Sequence, residues 1–163
     1  MRDGLLHLAG ELDLTLGGPS IPVNDDKSRR RSLYYVHSHN EHQKFLSMFD
    51  DASVLECYRR ADSIVPQQAL ALENSELASE LASKIASQIS AVPDIDTDEA
   101  FVKAAFRTIL SVDANGQEVA ASVAAMQEFR SLTAATESAD AGAKSRTMLI
   151  QALINHNDFV TIR

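Results

Sequence analysis

Leu77, Leu81, Ile85 and Ile89 recur every four residues, flanked by Ala78, Ala82 and Ala86, with Ser and Glu on the opposite side. That period belongs to a helix with one buried stripe, because 3.6 residues per turn bring such positions onto one face. The alanine row lets a second helix approach closely. A helix of this kind needs partners, and the sequence around it supplies them. Upstream, Pro66 opens a helix through Gln67, Gln68, Ala69 and Leu70, with Ser63 as its cap. Downstream, Pro93 breaks the chain, and Asp96 with Glu99 marks a capping-box-like restart. The helix that follows buries Phe101, Val102, Ala105, Phe106, Ile109 and Leu110. Asp113 to Gly116 forms a turn, and Asn115 with Glu118 caps a further helix presenting Val119, Val123, Met126 and Phe129. Thr133 to Ala143 reads as a polar Ala/Ser/Thr linker. A last helix runs from about Lys144 through Leu153, and Phe159 to Arg163 forms an extended tail.

The first part of the chain is less regular. Arg2 to Leu12 reads as a short helix with Leu5, Leu6, Leu8, Ala9 and Leu12 apolar. Leu14 to Asp26 is a loop, punctuated by Gly17, Gly18 and Pro19, whose glycines suit positive φ. Leu33 to Val36 is a short aromatic and β-branched run expected as a buried strand. Glu41 to Phe49 is expected as a helix with Phe45, Leu46, Met48 and Phe49 on its apolar side. No internal repeat is present. The expected architecture is mainly α, an irregular helix bundle with one or two short strands. It forms a single domain over 1–163, loop-rich over 1–62 and helical over 63–163.

A chain of 163 residues is long enough to bury a core. Its formal net charge of −8 is unevenly spread: residues 1–60 hold eight Lys/Arg against nine Asp/Glu, residues 61–163 seven against fourteen. No broad basic face exists for nucleic acid or an anionic membrane. One cysteine excludes an internal disulfide framework and a cysteine-rich zinc site. No run of ~18 apolar residues suggests a membrane span. The opening MRDGLLHLAGELD is too short and too soon charged for a secretory signal.

Chemically distinct side chains concentrate between Phe49 and Leu72. Cys57 stands beside Glu56, Tyr58, Arg59 and Arg60, and Gln67 and Gln68 follow Pro66. A guanidinium near a thiol stabilises the thiolate, so Cys57 is a candidate nucleophile. A base would be needed, and His37 is among the histidines upstream that offer one. The competing reading is a small buried hydrophobe, the usual state of an isolated cysteine. Arg31, Glu56, Arg59, Arg60, Gln67 and Gln68 are the candidate binding residues. The arginine run Arg29 to Arg31 suits a carboxylate or phosphate, or pairs with nearby acids. One of Arg59 and Arg60 is expected to be partly buried on Asp50, Asp51 or Glu56. His37, His39 and His42 with Glu41 are the most metal-like cluster. In a strand His37 and His39 share a face, and a helix from near Asn40 brings His42 round. The spacing matches no established zinc pattern and lacks a fourth ligand, so neither metal nor cofactor is expected.

The stretches RRSLYYVHSH, FLSMFDDASVLECYRRADSIVPQQALALENSELA and the closing LIQALINHNDFVTIR resemble the C-terminal portion of a planctomycete-specific domain of unknown function. The likeness is strongest over Arg30 to Ala78 and weakest from Ala91 to Ala143. The family's arginine-serine-hydrophobic-tyrosine element falls on Arg31, Ser32, Leu33 and Tyr34. Its Phe-Asp, Glu-Cys-Tyr-Arg-Arg and Pro-Gln-Gln-Ala-Leu elements fall on Phe49 and Asp50, Glu56 to Arg60, and Pro66 to Leu70. The family's Gly-Arg-x-Pro turn is replaced by Val112 to Gly116. The resemblance implies the closing part of a large exported protein, often one that begins with a cytochrome-c-type haem domain. No catalytic residue comes with it, and no Cys-x-x-Cys-His is present here.

The chain is therefore read as a non-catalytic structural or interaction module that starts inside a larger family domain. Its expected partners are the N-terminal domains of a parent protein or a second copy, through apolar surface near Leu5, Leu8 and Leu12 and along Leu33 to Val36. The alternative is a hydrolase or redox domain using Cys57 with Arg59, Arg60 and a histidine. The location follows the context: extracytoplasmic within such a parent, cytoplasmic if expressed alone.

Overall fold

A computed structural model describes residues 1–38, 40–49, 66–133 and 140–160. Within them lie eight α-helices: α1 (Arg2–Leu8), α2 (Lys44–Ser47), α3 (Pro66–Glu73), α4 (Glu76–Ser90), α5 (Asp98–Leu110), α6 (Gly116–Thr133), α7 (Ala141–Ile154) and α8 (Asn157–Val160). The protein is mainly α, and no strand or sheet occurs among the described residues. No described helix is long and apolar enough to cross a membrane. The chain divides into two compact units, Met1–Leu77 and Ala78–Arg163.

In the first unit, α1 ends four residues before Leu12. Gly10 takes φ 66, its amide returns to the His7 carbonyl at 3.0 Å, and the Glu11 amide returns to Leu6 at 2.9 Å. This is a Schellman closure, which a left-handed glycine makes easy. The strand expected over Leu33 to Val36 is not formed. Ser32–Tyr34 winds into a 3-10 turn, and only isolated parallel bridges pair Asp13 with Arg30 and Ile21 with Tyr35. The Asp3 carboxylate, 29 residues away in sequence, accepts the Ser32 amide at 2.8 Å where this turn begins. Helix α2 is also shorter than expected. The Gln43 side chain accepts from the Leu46 amide at 2.7 Å, so the helix begins after His42 rather than near Asn40.

The second unit follows its hydrophobic pattern closely. Ala78, Leu81, Ala82, Ile85, Ala86 and Ile89 of α4 are buried, as are all six expected positions of α5. Helix α5 packs on α6 and α7, α6 packs on α7, and α8 touches α5 and α7. Gln151 of α7 donates to Ser79 of α4 at 3.2 Å. Asn115 and Glu118 form the expected reciprocal cap: Asn115 Oδ1 accepts the Gln117 and Glu118 amides at 2.9 Å, and Glu118 Oε2 accepts the Asn115 amide at 2.7 Å. The cap of α5 is Thr97 rather than Asp96, its hydroxyl accepting from Ala100 at 3.2 Å. On α6 only Val119 and Met126 are buried, and Val123 and Phe129 are half-buried. The expected extended tail begins instead as α8, which carries Phe159 and Val160.

Candidate functional site

The Arg31-Ser32-Leu33-Tyr34 element is tied down from both sides within the first unit. Arg2 is buried to 1 % exposure at the start of α1. Its guanidinium donates to the Arg30 carbonyl at 2.8 Å, to the Ser28 carbonyl, and to Ser32 Oγ at 3.4 Å. It also lies over the Tyr35 ring, 5.1 Å from its centre. Beside it, Asp3 accepts from the Ser32 amide and hydroxyl. Tyr35 is buried, and its phenol donates to the Asp25 carbonyl at 2.7 Å. Burial pushes that phenol above its ordinary pKa, against the opposing pull of Arg2.

Arg30 makes a second tie. It donates to the Pro19 carbonyl at 2.7 Å and to the Gly17 carbonyl, and it stacks 4.0 Å from the centre of the Tyr34 ring. Tyr34 in turn accepts the Gly17 amide at 2.9 Å. Gly18 stands at φ 91, a left-handed backbone conformation that favours glycine. Arg29 pairs with Glu11 at 2.9 Å. Two of the three arginines considered for an anion site thus hold loop backbone or a neighbouring acid. Arg31 is half-exposed.

Among the other candidates, His37 and His42 are exposed and precede α2, while His39 lies outside the described residues. No group of three or more His, Cys, Asp or Glu side chains is gathered for a metal among the described residues. Gln68 is buried on α3. Gln67 belongs to the same helix, but its side chain falls outside the described set, as do Asp50, Asp51, Glu56, Cys57, Arg59 and Arg60.

The second unit contains a cleft that no sequence motif marks. It measures about 520 Å³ and lies between α4, the end of α6 and the first turns of α7. Arg130 forms its floor-side anchor. The guanidinium grips Asp98 through two hydrogen bonds of 2.6 and 2.7 Å and donates Nε–H to Ser145 Oγ at 2.8 Å. Asp98 lies in the first turn of α5 and Arg130 in the last turn of α6, so each charge also suits its helix dipole. The hydrogen bond from Arg130 holds the Asp98 carboxyl below its ordinary pKa, with burial opposing. Arg146 also lines the cleft; it donates to Ser90 Oγ at 2.8 Å and stacks 4.8 Å from the centre of the Phe101 ring. Ser83 and Ser87 of α4 and Thr147 of α7 complete the polar wall.

The signal for this cleft was scarcity. Only seven Lys/Arg follow residue 60, and Arg130 and Arg146 are two of them. They are sixteen residues apart on different helices, so no spacing rule connects them.

No curated protein and no solved structure matches the chain. A family model does, over residues 1–126, short of the closing stretch from Leu149. Because that match takes in 126 of 163 residues, the chain belongs to the PSD1 family, described as a protein of unknown function (DUF1553).

Proposed function

We propose that this chain is a non-catalytic interaction module of an exported, planctomycete-type protein, docking against N-terminal domains that include a cytochrome-c-type domain. The observation that carries the reading is the use of Arg2, Asp3 and Arg30 around the Arg-Ser-Leu-Tyr element. Their charged groups hold backbone carbonyls, a backbone amide and aromatic rings, which is the work of a rigid scaffold. A fixed surface of this kind favours recognition, since little ordering entropy is lost on docking. The exported context rests on the sequence likeness over Arg30 to Ala78.

Two measurements test it. The chain mixed with the N-terminal domains of a longer family member should co-elute with them as a complex in size-exclusion chromatography. Separate elution at about 100 μM would sink the docking proposal, since that concentration detects even weak interfaces. The rate of Cys57 alkylation by iodoacetamide, followed against pH, addresses the catalytic alternative. A module leaves the thiol inert or inflecting near its ordinary ~8.5. An inflection below pH 7 that Arg59→Ala or Arg60→Ala abolishes would favour the enzyme instead.

A further inference from the structure

We infer that the cleft between α4, α6 and α7 binds a small monoanionic hydroxy-carboxylate, with Arg146 receiving the carboxylate and Ser90 and Thr147 receiving the neighbouring hydroxyl. This goes beyond the docking role and does not depend on it.

The charge balance selects the anion. Arg130 is neutralised by its paired bonds to Asp98. Arg146 makes no carboxylate hydrogen bond among the described residues: its side-chain hydrogen bond goes to the neutral Ser90 hydroxyl, an aromatic face lies beneath it, and its charge reaches Asp98 only through space. A guanidinium carries five N–H donors, so Arg146 retains most of them for a ligand. Among the described residues, Arg130 and Arg146 set against Asp98 leave the cleft one net positive charge. A monoanion matches it; a dianionic phosphate would bring one charge too many into a partly desolvated space.

The hydroxyls select what stands beside the carboxylate. Ser90 donates its proton to the Ala86 carbonyl at 2.7 Å, and Thr147 donates its proton to Ala143 at 3.0 Å. With their protons directed into the helix backbone, both oxygens of these cleft-lining residues are left as acceptors, that of Ser90 already taking one N–H from Arg146. They therefore suit a ligand donor close to the anionic group. A hydroxyl supplies that donor without changing the charge, whereas an ammonium would cancel the attraction to Arg146. The volume of about 520 Å³ is within the range of small-molecule sites and holds a four- to six-carbon acid.

The test uses the full chain, whose 17.8 kDa suits two-dimensional amide NMR. Gluconate and lactate should each shift amides of α4 and the first turns of α7, saturating at about millimolar concentration. Glucose, sulfate and acetate should bind at least about tenfold more weakly, because each lacks the charge, the single charge or the hydroxyl. Arg146→Ala should weaken gluconate about tenfold or more. Because that variant also removes the tie to Ser90, Ser87→Asp provides a second reading. It adds a carboxylate on the exposed wall, away from the core, and should abolish gluconate binding while leaving the amide spectrum otherwise intact. No shift with gluconate at 20-fold above the expected range (about 20 mM) would overturn the inference. So would glucose or sulfate binding as well as gluconate, or an unchanged affinity in Ser87→Asp.

Discussion

Arg2 shows how one long cation can organise a region with little regular structure. Its charged head is almost wholly out of water, yet it meets two carbonyls, a hydroxyl and an aromatic face. A buried guanidinium is tolerated only when its donors are matched in this way. Arg2→Ala would leave the Ser28 and Arg30 carbonyls without their partner, at about 1–3 kcal/mol for each group left unsatisfied. We expect a total loss of about 2–4 kcal/mol in urea unfolding, with Arg2→Lys intermediate, since an ammonium cannot reproduce the planar fork. A loss below about 0.5 kcal/mol would show that the contacts are incidental, as for ordinary surface substitutions. None of this was visible in the sequence, where Arg2 stands in a frayed-looking terminal helix. The ties run over 26 to 30 residues, and a three-dimensional pairing of that kind leaves no periodic mark. Gly17 and Gly18 were legible, by contrast, because a Gly-Gly-Pro turn needs positive φ, and both adopt it.

At the scale of helices, the joint between α5, α6 and α7 should make stability depend on pH in the acid range. The Asp98 carboxyl is held below its ordinary 3.8 by the hydrogen bond from Arg130. A group whose folded pKa is depressed stabilises the fold fully above its unfolded value and stops doing so as pH falls through the folded one. The contribution should therefore be intact at pH 5 and decline below 3.8. Asp98→Asn should cost about 1 kcal/mol at pH 7 and flatten the acid limb between pH 4 and 2 relative to the parent. Chemical denaturation at fixed pH values checks this, and parallel acid limbs in both proteins would place the dependence elsewhere. The helices themselves were well marked: Leu81, Ile85 and Ile89 of the α4 stripe and the six apolar positions of α5 are buried, with Leu77 half-buried. The Asn115–Glu118 cap was equally plain, because both partners lie three residues apart. The polar joint was not, since Asp98 and Arg130 are 32 residues apart and each taken alone looks like an ordinary surface charge. Short elements were misjudged for a similar reason: side chains of Asp3 and Gln43 take backbone amides where the 3-10 turn and α2 begin.

For the whole molecule, the balance between charge and exposed apolar side chains sets how copies meet. Of the leucines expected to be open near the start of the chain, Leu5 has 0 % exposure, and Leu8 and Leu12 are half-buried. Among the described residues of the first unit, Leu14, Leu16, Leu33, Val36, Met48 and Leu70 reach water, and Leu16 is the most exposed of them at 80 %. Single exposed leucines are common on globular proteins and drive association only when repulsion is weak. At pH 7 the formal net charge is −8, and copies repel; the balance vanishes near the isoelectric point of about 5.0. Self-association should therefore rise as pH falls from 7 to 5.0, well above the range in which Asp98 begins to be protonated, so that it precedes any loss of fold from that pair. Salt at pH 7 should move the protein in the same direction, since the Debye length shrinks to about 3 Å at 1 M. Static light scattering over a concentration series gives the second virial coefficient at each pH. We expect it to be positive at pH 7 and negative near pH 5, and Leu16→Ser with Leu33→Ser to raise the value at pH 5 without changing the unfolding midpoint. A coefficient that is already negative at pH 7 in dilute buffer, or one insensitive to both substitutions, would mean that a different surface brings the copies together.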